Sequence, residues 1–412
     1  MVWWFGFVSL AADMVYEGAR SVYGPVLAAL GASALVVGLV TGAGEAVALV
    51  LRLAFGPLAD RTGRYWSLTI LGYGLTAVCV PLLALAPRLG AAGLGFAATM
   101  ILLERLGKAI RSPSKSALLA HVAAAVGRGR GFGVHKALDQ VGAFAGPLLV
   151  AGVVAVASLW WGMAVLAVPG AIAMLLLLTL RRRVPDPASY DVEATATPPE
   201  SAGPESAGPE SAGPERRGWW AEAVGAGLSG DFFRYAFAAS LTTGALVTFG
   251  IIGYHLSVEG LLPVAAVPIV YAAAMAVEAV AALGVGALYD RSGPRVLLVV
   301  PVLVALVPAL ALGSALVAVL AGVVAWGFAQ GVQDSTVKAV VAELVEAPRR
   351  ATAYGVFAGI QGLLAIVGGV GAGWLYERSL PALTAVVALT QVVALVLLVD
   401  TFRRSALRHR AG

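Results

Sequence analysis

Gly56-Pro57-Leu58-Ala59-Asp60-Arg61-Thr62-Gly63-Arg64 follows one apolar run, and Gly286-Ala287-Leu288-Tyr289-Asp290-Arg291-Ser292-Gly293-Pro294-Arg295 follows another, 230 residues later. Each pairs Asp-Arg with a glycine two positions on, the composition of a short polar turn between hydrophobic segments. A second echo aligns Phe132-Gly133-Val134 with Tyr354-Gly355-Val356, and Asp139 with Gln361, at an offset of 222; Lys115 aligns with Lys338 at 223. The chain reads as two halves in the same orientation, related by a pseudo-two-fold axis along a membrane normal.

The composition fits that reading. The 412 residues are 59% hydrophobic and 12% charged, with a mean hydropathy of +0.88, whereas soluble domains carry roughly 25% charged residues. Apolar runs fall near 3–23, 34–55, 66–86, 92–112, 131–154 and 159–180, then near 232–256, 264–288, 296–313, 317–340, 351–374 and 381–402. Twelve runs of ~20 residues match twelve membrane-crossing helices. The first is no cleavable signal, because it lacks a basic start and carries Asp13, Glu17 and Arg20. The expected organisation is a six-helix bundle over 1–180, a linker over 181–218 and a second six-helix bundle over 219–412. The linker repeats Ser-Ala-Gly-Pro-Glu three times between 201 and 215, too polar to bury itself and expected to be a flexible tether.

Arginine sets the expected orientation. Seventeen connecting arginines, among them Arg61, Arg64, Arg181 to Arg183 and Arg349, fall on one side, against Arg88 and Arg378 on the other. The positive side is cytoplasmic, which places the linker and both termini in the cytoplasm and the protein in the plasma (inner) membrane. The net charge of +5 is explained the same way, and nucleic acid is set aside as a partner. Single Cys79 excludes a disulfide scaffold and a multi-cysteine metal site. Gly225-Ala226-Gly227-Leu228-Ser229-Gly230 follows no strand and is not a nucleotide fingerprint, and no P-loop, HExxH or GxSxG occurs. Neither an enzyme nor an ATP-driven pump is expected, and no cofactor; the proton-motive force is the expected energy source.

On its loop signature the chain resembles the major facilitator superfamily over essentially its whole length. Gly56, Asp60, Arg61, Gly63 and Arg64 match that family's motif between spans 2 and 3, with Tyr65 where a second basic residue is usual; Asp290 and Arg291 belong to the degenerate copy. Gly133, Gly142, Gly146 and Pro147 resemble the antiporter motif of drug-efflux members, without its closing Gly-Gly (Val150-Ala151). Physically, Gly142 and Gly146 let a neighbouring helix approach, and Pro147 bends the span. The resemblance implies an all-α fold of twelve helices in two bundles, alternating access, a cavity lined by spans 1, 4, 7 and 10, and Asp60 docked at the start of span 11, near Ala351 to Tyr354.

Charges inside the runs locate the candidate site, since an ionisable side chain at mid-bilayer costs roughly 2.5–3.5 kcal/mol and faces a cavity or a partner. Asp13 lies ~15 Å along span 1, near the midplane, with Glu17 and Arg20 on the same face. Glu45 sits in span 2 with Arg52 beyond it. Span 4 carries Glu104, Arg105, Lys108, Arg111 and Lys115; span 5 carries His135, Lys136 and Asp139; span 10 carries Gln330, Gln333, Asp334 and Lys338. The expected ion pairs are Glu17–Arg20 and Glu45–Arg52, with Arg111, Lys115 and Lys338 snorkelling to the interface. Asp13 is expected to lack a neutralising partner and to carry proton or substrate. Asp139 is expected to face Arg105 or Lys108 as a gate, with Glu104. His255 and Glu259 are read as solvated, and Trp3-Trp4, Trp160-Trp161 and Trp219-Trp220 as interfacial anchors.

The function expected is secondary transport of a small solute, read foremost as proton-coupled efflux by a monomer in the lipid bilayer. Two alternatives stay open: a symporter or uniporter importing an anionic metabolite, and a non-transporting receptor or lipid-handling membrane protein.

Overall fold

A computed structural model describes residues 2–124, 128–185, 227–346 and 349–411. The linker from 186 onward and Trp219-Trp220 lie outside the described residues. So does the 201–215 repeat.

No strand occurs among the described residues. The first half comprises α1 (Val2–Arg20), α2 (Tyr23–Ala29), α3 (Ala34–Val50), α4 (Arg52–Thr62), α5 (Tyr65–Leu82), α6 (Gly93–Ala124), α7 (Arg128–Val156), α8 (Leu159–Ala164) and α9 (Ala167–Arg183). The second comprises α10 (Gly230–Ala245), α11 (Phe249–Val258), α12 (Val267–Ser292), α13 (Val299–Ala311), α14 (Leu316–Leu344), α15 (Arg350–Arg378) and α16 (Leu380–Ala411). Ten stretches among the described residues are long and apolar enough to cross a membrane, against the twelve expected. One of them, Tyr65–Ala120, is 56 residues long and contains α5 and α6 folded against each other; α1 is not among the ten. Many large apolar side chains face outward, including Leu283 (79% exposed) and Val317 (82%), a surface that suits lipid and not water.

The sequence explains where helices start and stop. Ser33, Ser158 and Ser229 accept from the backbone N–H three residues on, capping α3, α8 and α10. Both signature loops turn on a glycine with φ of 62°, Gly63 and Gly293, a left-handed conformation that disfavours any side chain. The echo extends to the positive φ of the glycine but not to the whole turn, since ψ is 7° at Gly63 and −157° at Gly293. One end of the bundle, here the terminal end, carries both described termini and both signature loops; the opposite end is the distal end.

The halves meet along α3 and α15, which run antiparallel. A Cβ at Gly38 would strike the backbone of Gly369, one at Gly42 that of Ala365, and one at Gly373 that of Ala34. At the distal end α2 packs on α11, where Gly24 lies against the backbone of Gly250 and Tyr254, and that end is closed. The space between the halves opens toward the terminal end, where Asp334 is exposed and the Lys136 side chain is 67% exposed.

Candidate functional site

Small residues bring the charged helices together. Within the first half, α7 lies on α1 so closely that a Cβ at Gly142 or Gly146 would strike the carbonyls of Leu10 and Met14. The second half repeats the contact: Gly368 meets Gly244, at offsets of 222 from Gly146 and 230 from Met14. The antiporter-like glycines therefore set the α1–α7 distance, and with it the spacing of two acids, one between Leu10 and Met14 on α1 and one a turn before Gly142 on α7.

Those acids are Asp13 and Asp139, whose carboxyls lie against each other. Lys115 approaches Asp139 to 3.9 Å and Lys136 to 3.8 Å. Lys115 also donates to Ser9 Oγ (3.2 Å), which lies 3.3 Å from His135 Nε2 and 3.4 Å from the Tyr73 hydroxyl. At the corresponding places of the second half stand Thr243 and Gln361, with the Gln361 amide donating to Thr243 Oγ1 at 3.3 Å and the Thr243 hydroxyl donating to Gln333 Oε1 at 2.6 Å. The contact is the same in both halves; only the first is ionisable.

A second cluster sits farther along α1. Arg20 bridges Glu45 (3.0 Å) and Glu17 (3.8 Å). Arg105, 3% exposed, reaches Glu45 (3.4 Å) and Glu104 (3.2 Å), the latter fully buried and also within 3.5 Å of the Tyr23 hydroxyl. Arg105 and Lys108 both donate to the Tyr16 hydroxyl, Lys108 at 2.6 Å. From the second half, Tyr271 donates to Glu17 at 2.5 Å. A cavity of about 20 Å³, room for one water, lies among Arg20, Glu45, Arg105, Thr41 and Thr248.

Several expectations change. Glu45 pairs with Arg20 and Arg105, not Arg52, because the helix breaks at Leu51 and the i, i+7 register does not carry across. Asp139 meets Lys115 and Lys136 instead of Arg105 or Lys108, and Asp13 has Asp139 and Lys115 beside it. Glu104 pairs with Arg105 and lies near the Tyr23 hydroxyl, not with Asp139. Arg111 does not snorkel: it is 4% exposed and donates to Thr76 Oγ1 at 2.5 Å. The reason is the length of α6, whose 32 residues carry Arg111 and Lys115 inside the packed bundle. Asp60 is exposed and accepts from the Tyr65 hydroxyl at 3.1 Å, so the tyrosine that departs from the family motif supplies its partner where span 11 was expected. His255 is 3% exposed, with Tyr376 at 2.8 Å and the Gly313 carbonyl at 3.0 Å, an interior group and not a solvated one.

Other expectations stand or lie aside. Glu17–Arg20 pairs as expected, and Glu259, Gly56, Arg61, Gly63, Arg64 and Arg291 are at least partly exposed. Gln330 is half-buried and Asp334 exposed. The side chains of Asp290 and Lys338 lie outside the described residues. Trp3 and Trp161 are 59% and 64% exposed, as interfacial anchors are. Three tyrosines of the network, Tyr16, Tyr23 and Tyr271, were not foreseen, nor was Glu278 of α12, which lies within electrostatic reach of Asp334 and Lys136. The test that found Asp13, a charge inside an apolar run, also fits Glu278.

The Major Facilitator Superfamily model matches residues 5–318 and, separately, 236–411. An uncharacterized protein of Mycobacterium tuberculosis (strain ATCC 25618 / H37Rv) is 47% identical over 396 residues, covering 96% of this chain and 91% of that one. An uncharacterized MFS-type transporter of Methanocaldococcus jannaschii is 30% identical over 148 residues, 36% of each chain. Among solved structures, a mutant of the nucleoside transporter NupG superposes with a TM-score of 0.74 at 15% identity, covering 97% of this chain and 99% of that one. A D-xylose-proton symporter gives 0.66 at 12% identity over 96% and 95%. At these identities the structural likeness is one of fold.

Proposed function

The chain belongs to the Major Facilitator Superfamily and is a secondary transporter of small molecules, and on that premise we propose that it exports its solute in exchange for protons, with Asp13 and Asp139 as the proton-binding pair. The observation that carries this reading is the contact of the two carboxyls at a position where the other half holds Thr243 and Gln361. Two carboxylates in contact cannot both stay charged at low cost, so the pair takes up one proton and shares it. Lys115 and Lys136 balance the charge left when the proton departs.

The export direction rests on the resemblance of Gly133, Gly142, Gly146 and Pro147 to the antiporter motif; Gly142 and Gly146 also permit the close α1–α7 approach on which the pair depends. In this reading both termini and the linker face the cytoplasm, and the open terminal end is the loading side for the solute.

Everted membrane vesicles, acidified inside by respiration and followed with a pH-sensitive dye, test it. Screening drugs, sugars, amino acids and organic anions for dequenching identifies the exchanged solute. Asp13→Asn should abolish gradient-driven accumulation while leaving downhill exchange. Asp139→Asn should also uncouple the protein, and should slow exchange because it leaves Lys115 and Lys136 without a carboxylate. Normal proton exchange by Asp13→Asn would sink the proposal.

A further inference from the structure

The charges around Tyr16 do not pair off. The three carboxylates there, Glu17, Glu45 and Glu104, are taken by Arg20 and Arg105. Lys108, Arg111 and Arg52 have no carboxylate within 4.0 Å among the described residues, and each rests on something weaker. Arg111 donates to Thr76 and lies 4.9 Å above the Tyr73 ring. Lys108 sits 3.8 Å above the Tyr16 ring and donates to its hydroxyl. Arg52, within electrostatic reach of Tyr16 and Glu45, has a buried Nε with no hydrogen-bond partner.

The Tyr16 oxygen is the most telling atom. It accepts from Arg105 and Lys108 at once, two cationic donors converging on a neutral phenol. Hydrogen bonds from cations to a charged oxygen are roughly twice as strong as those between neutral groups, so an anionic oxygen fits this place better than the phenol does. The opposite wall differs: the second half offers Glu278 and Asp334 to the same space, Asp334 within electrostatic reach of Arg52. A second negative charge facing that wall would be repelled.

We propose that Lys108, Arg105 and Arg52 form an anion site held in reserve by the Tyr16 hydroxyl, and that the transported solute is an organic monoanion whose carboxylate or phosphate displaces that hydroxyl. This rests on the export reading for its direction of travel only. Binding itself needs no gradient.

The test is equilibrium binding to the full chain in lipid nanodiscs, with benzoate and methyl phenyl phosphate (a diester, hence a monoanion) as anionic probes and benzyltrimethylammonium as the cationic one. Either anion binding without the cation supports the site, and which anion binds separates a carboxylate from a phosphate ligand. Lys108→Gln should weaken binding at least tenfold and Lys108→Arg should restore most of it, which excludes a folding defect. Tyr16→Phe, isosteric and without the competing oxygen, should tighten binding several-fold. Failure of both anions to bind overturns the proposal. So does a Tyr16→Phe protein that binds no better than the parent, or a Lys108→Gln protein that binds as well. A protein that binds anions but moves no protons refutes the coupling alone; one that exchanges protons but binds neither anion refutes this site alone.

Discussion

Arg105 holds more of the site together than any neighbour: its guanidinium spans Glu104 and Glu45 and reaches Tyr16, with the Tyr16 ring 4.5 Å beneath it. Removing it strands a fully buried Glu104 carboxylate, and breaking buried pairs of this kind costs about 3–5 kcal/mol. Arg105→Met should therefore lower the melting temperature of the purified protein clearly. Arg105→Lys should recover little, because a single ammonium cannot serve two carboxylates and a phenol in fixed directions. A melting temperature unchanged in Arg105→Met would refute this role. Arg105 was legible in the sequence as a charge inside an apolar run. Its phenolic partners were not, since Tyr16 and Tyr23 in a hydrophobic helix read as core aromatics, and what their hydroxyls meet is decided by other helices.

At the level of elements, lengths and breaks decided what the sequence could not. The run at 92–112 was legible as a span, but α6 continues to Ala124, and that continuation delivers Lys115 to Asp139. The break at Leu51 removes Arg52 from Glu45 in the same way. One further contact joins elements of the two halves at the distal end. Glu377, near the end of α15, accepts from the Leu35 backbone N–H at 2.8 Å and so caps the first turn of α3, where unpaired N–H groups and the helix dipole favour a carboxylate. Any conformation that opens the distal end must break this cap. Glu377→Ala should remove on the order of 1 kcal/mol from the closed state, roughly a fivefold shift toward distal opening. Spin labels at the exposed positions Ala29 and Glu259, in a Cys79→Ser background, should show a longer-distance population; an unchanged distribution would count against the cap as a latch.

For the whole molecule, the duplication was the most legible property, because offsets of 230 and 222 recur in signature loops, glycines and polar pairs alike. Orientation is testable from the arginine imbalance: protease should cut the 181–218 linker in everted vesicles and spare it in right-side-out ones, and deleting 201–215 should leave transport nearly unchanged. What the sequence could not show is how the halves touch, since glycines on α3 and α15 announce closeness without naming a partner. That seam has a mechanical meaning. Interlocked side chains behave like gear teeth, which must disengage one by one before anything turns. Along Gly38, Gly42, Gly369 and Gly373, bare backbone rides on bare backbone, a plain bearing on which the halves can rock without exchanging partners. A single leucine at Gly369 would be grit in it: the protein would insert and fold as two bundles, and seize.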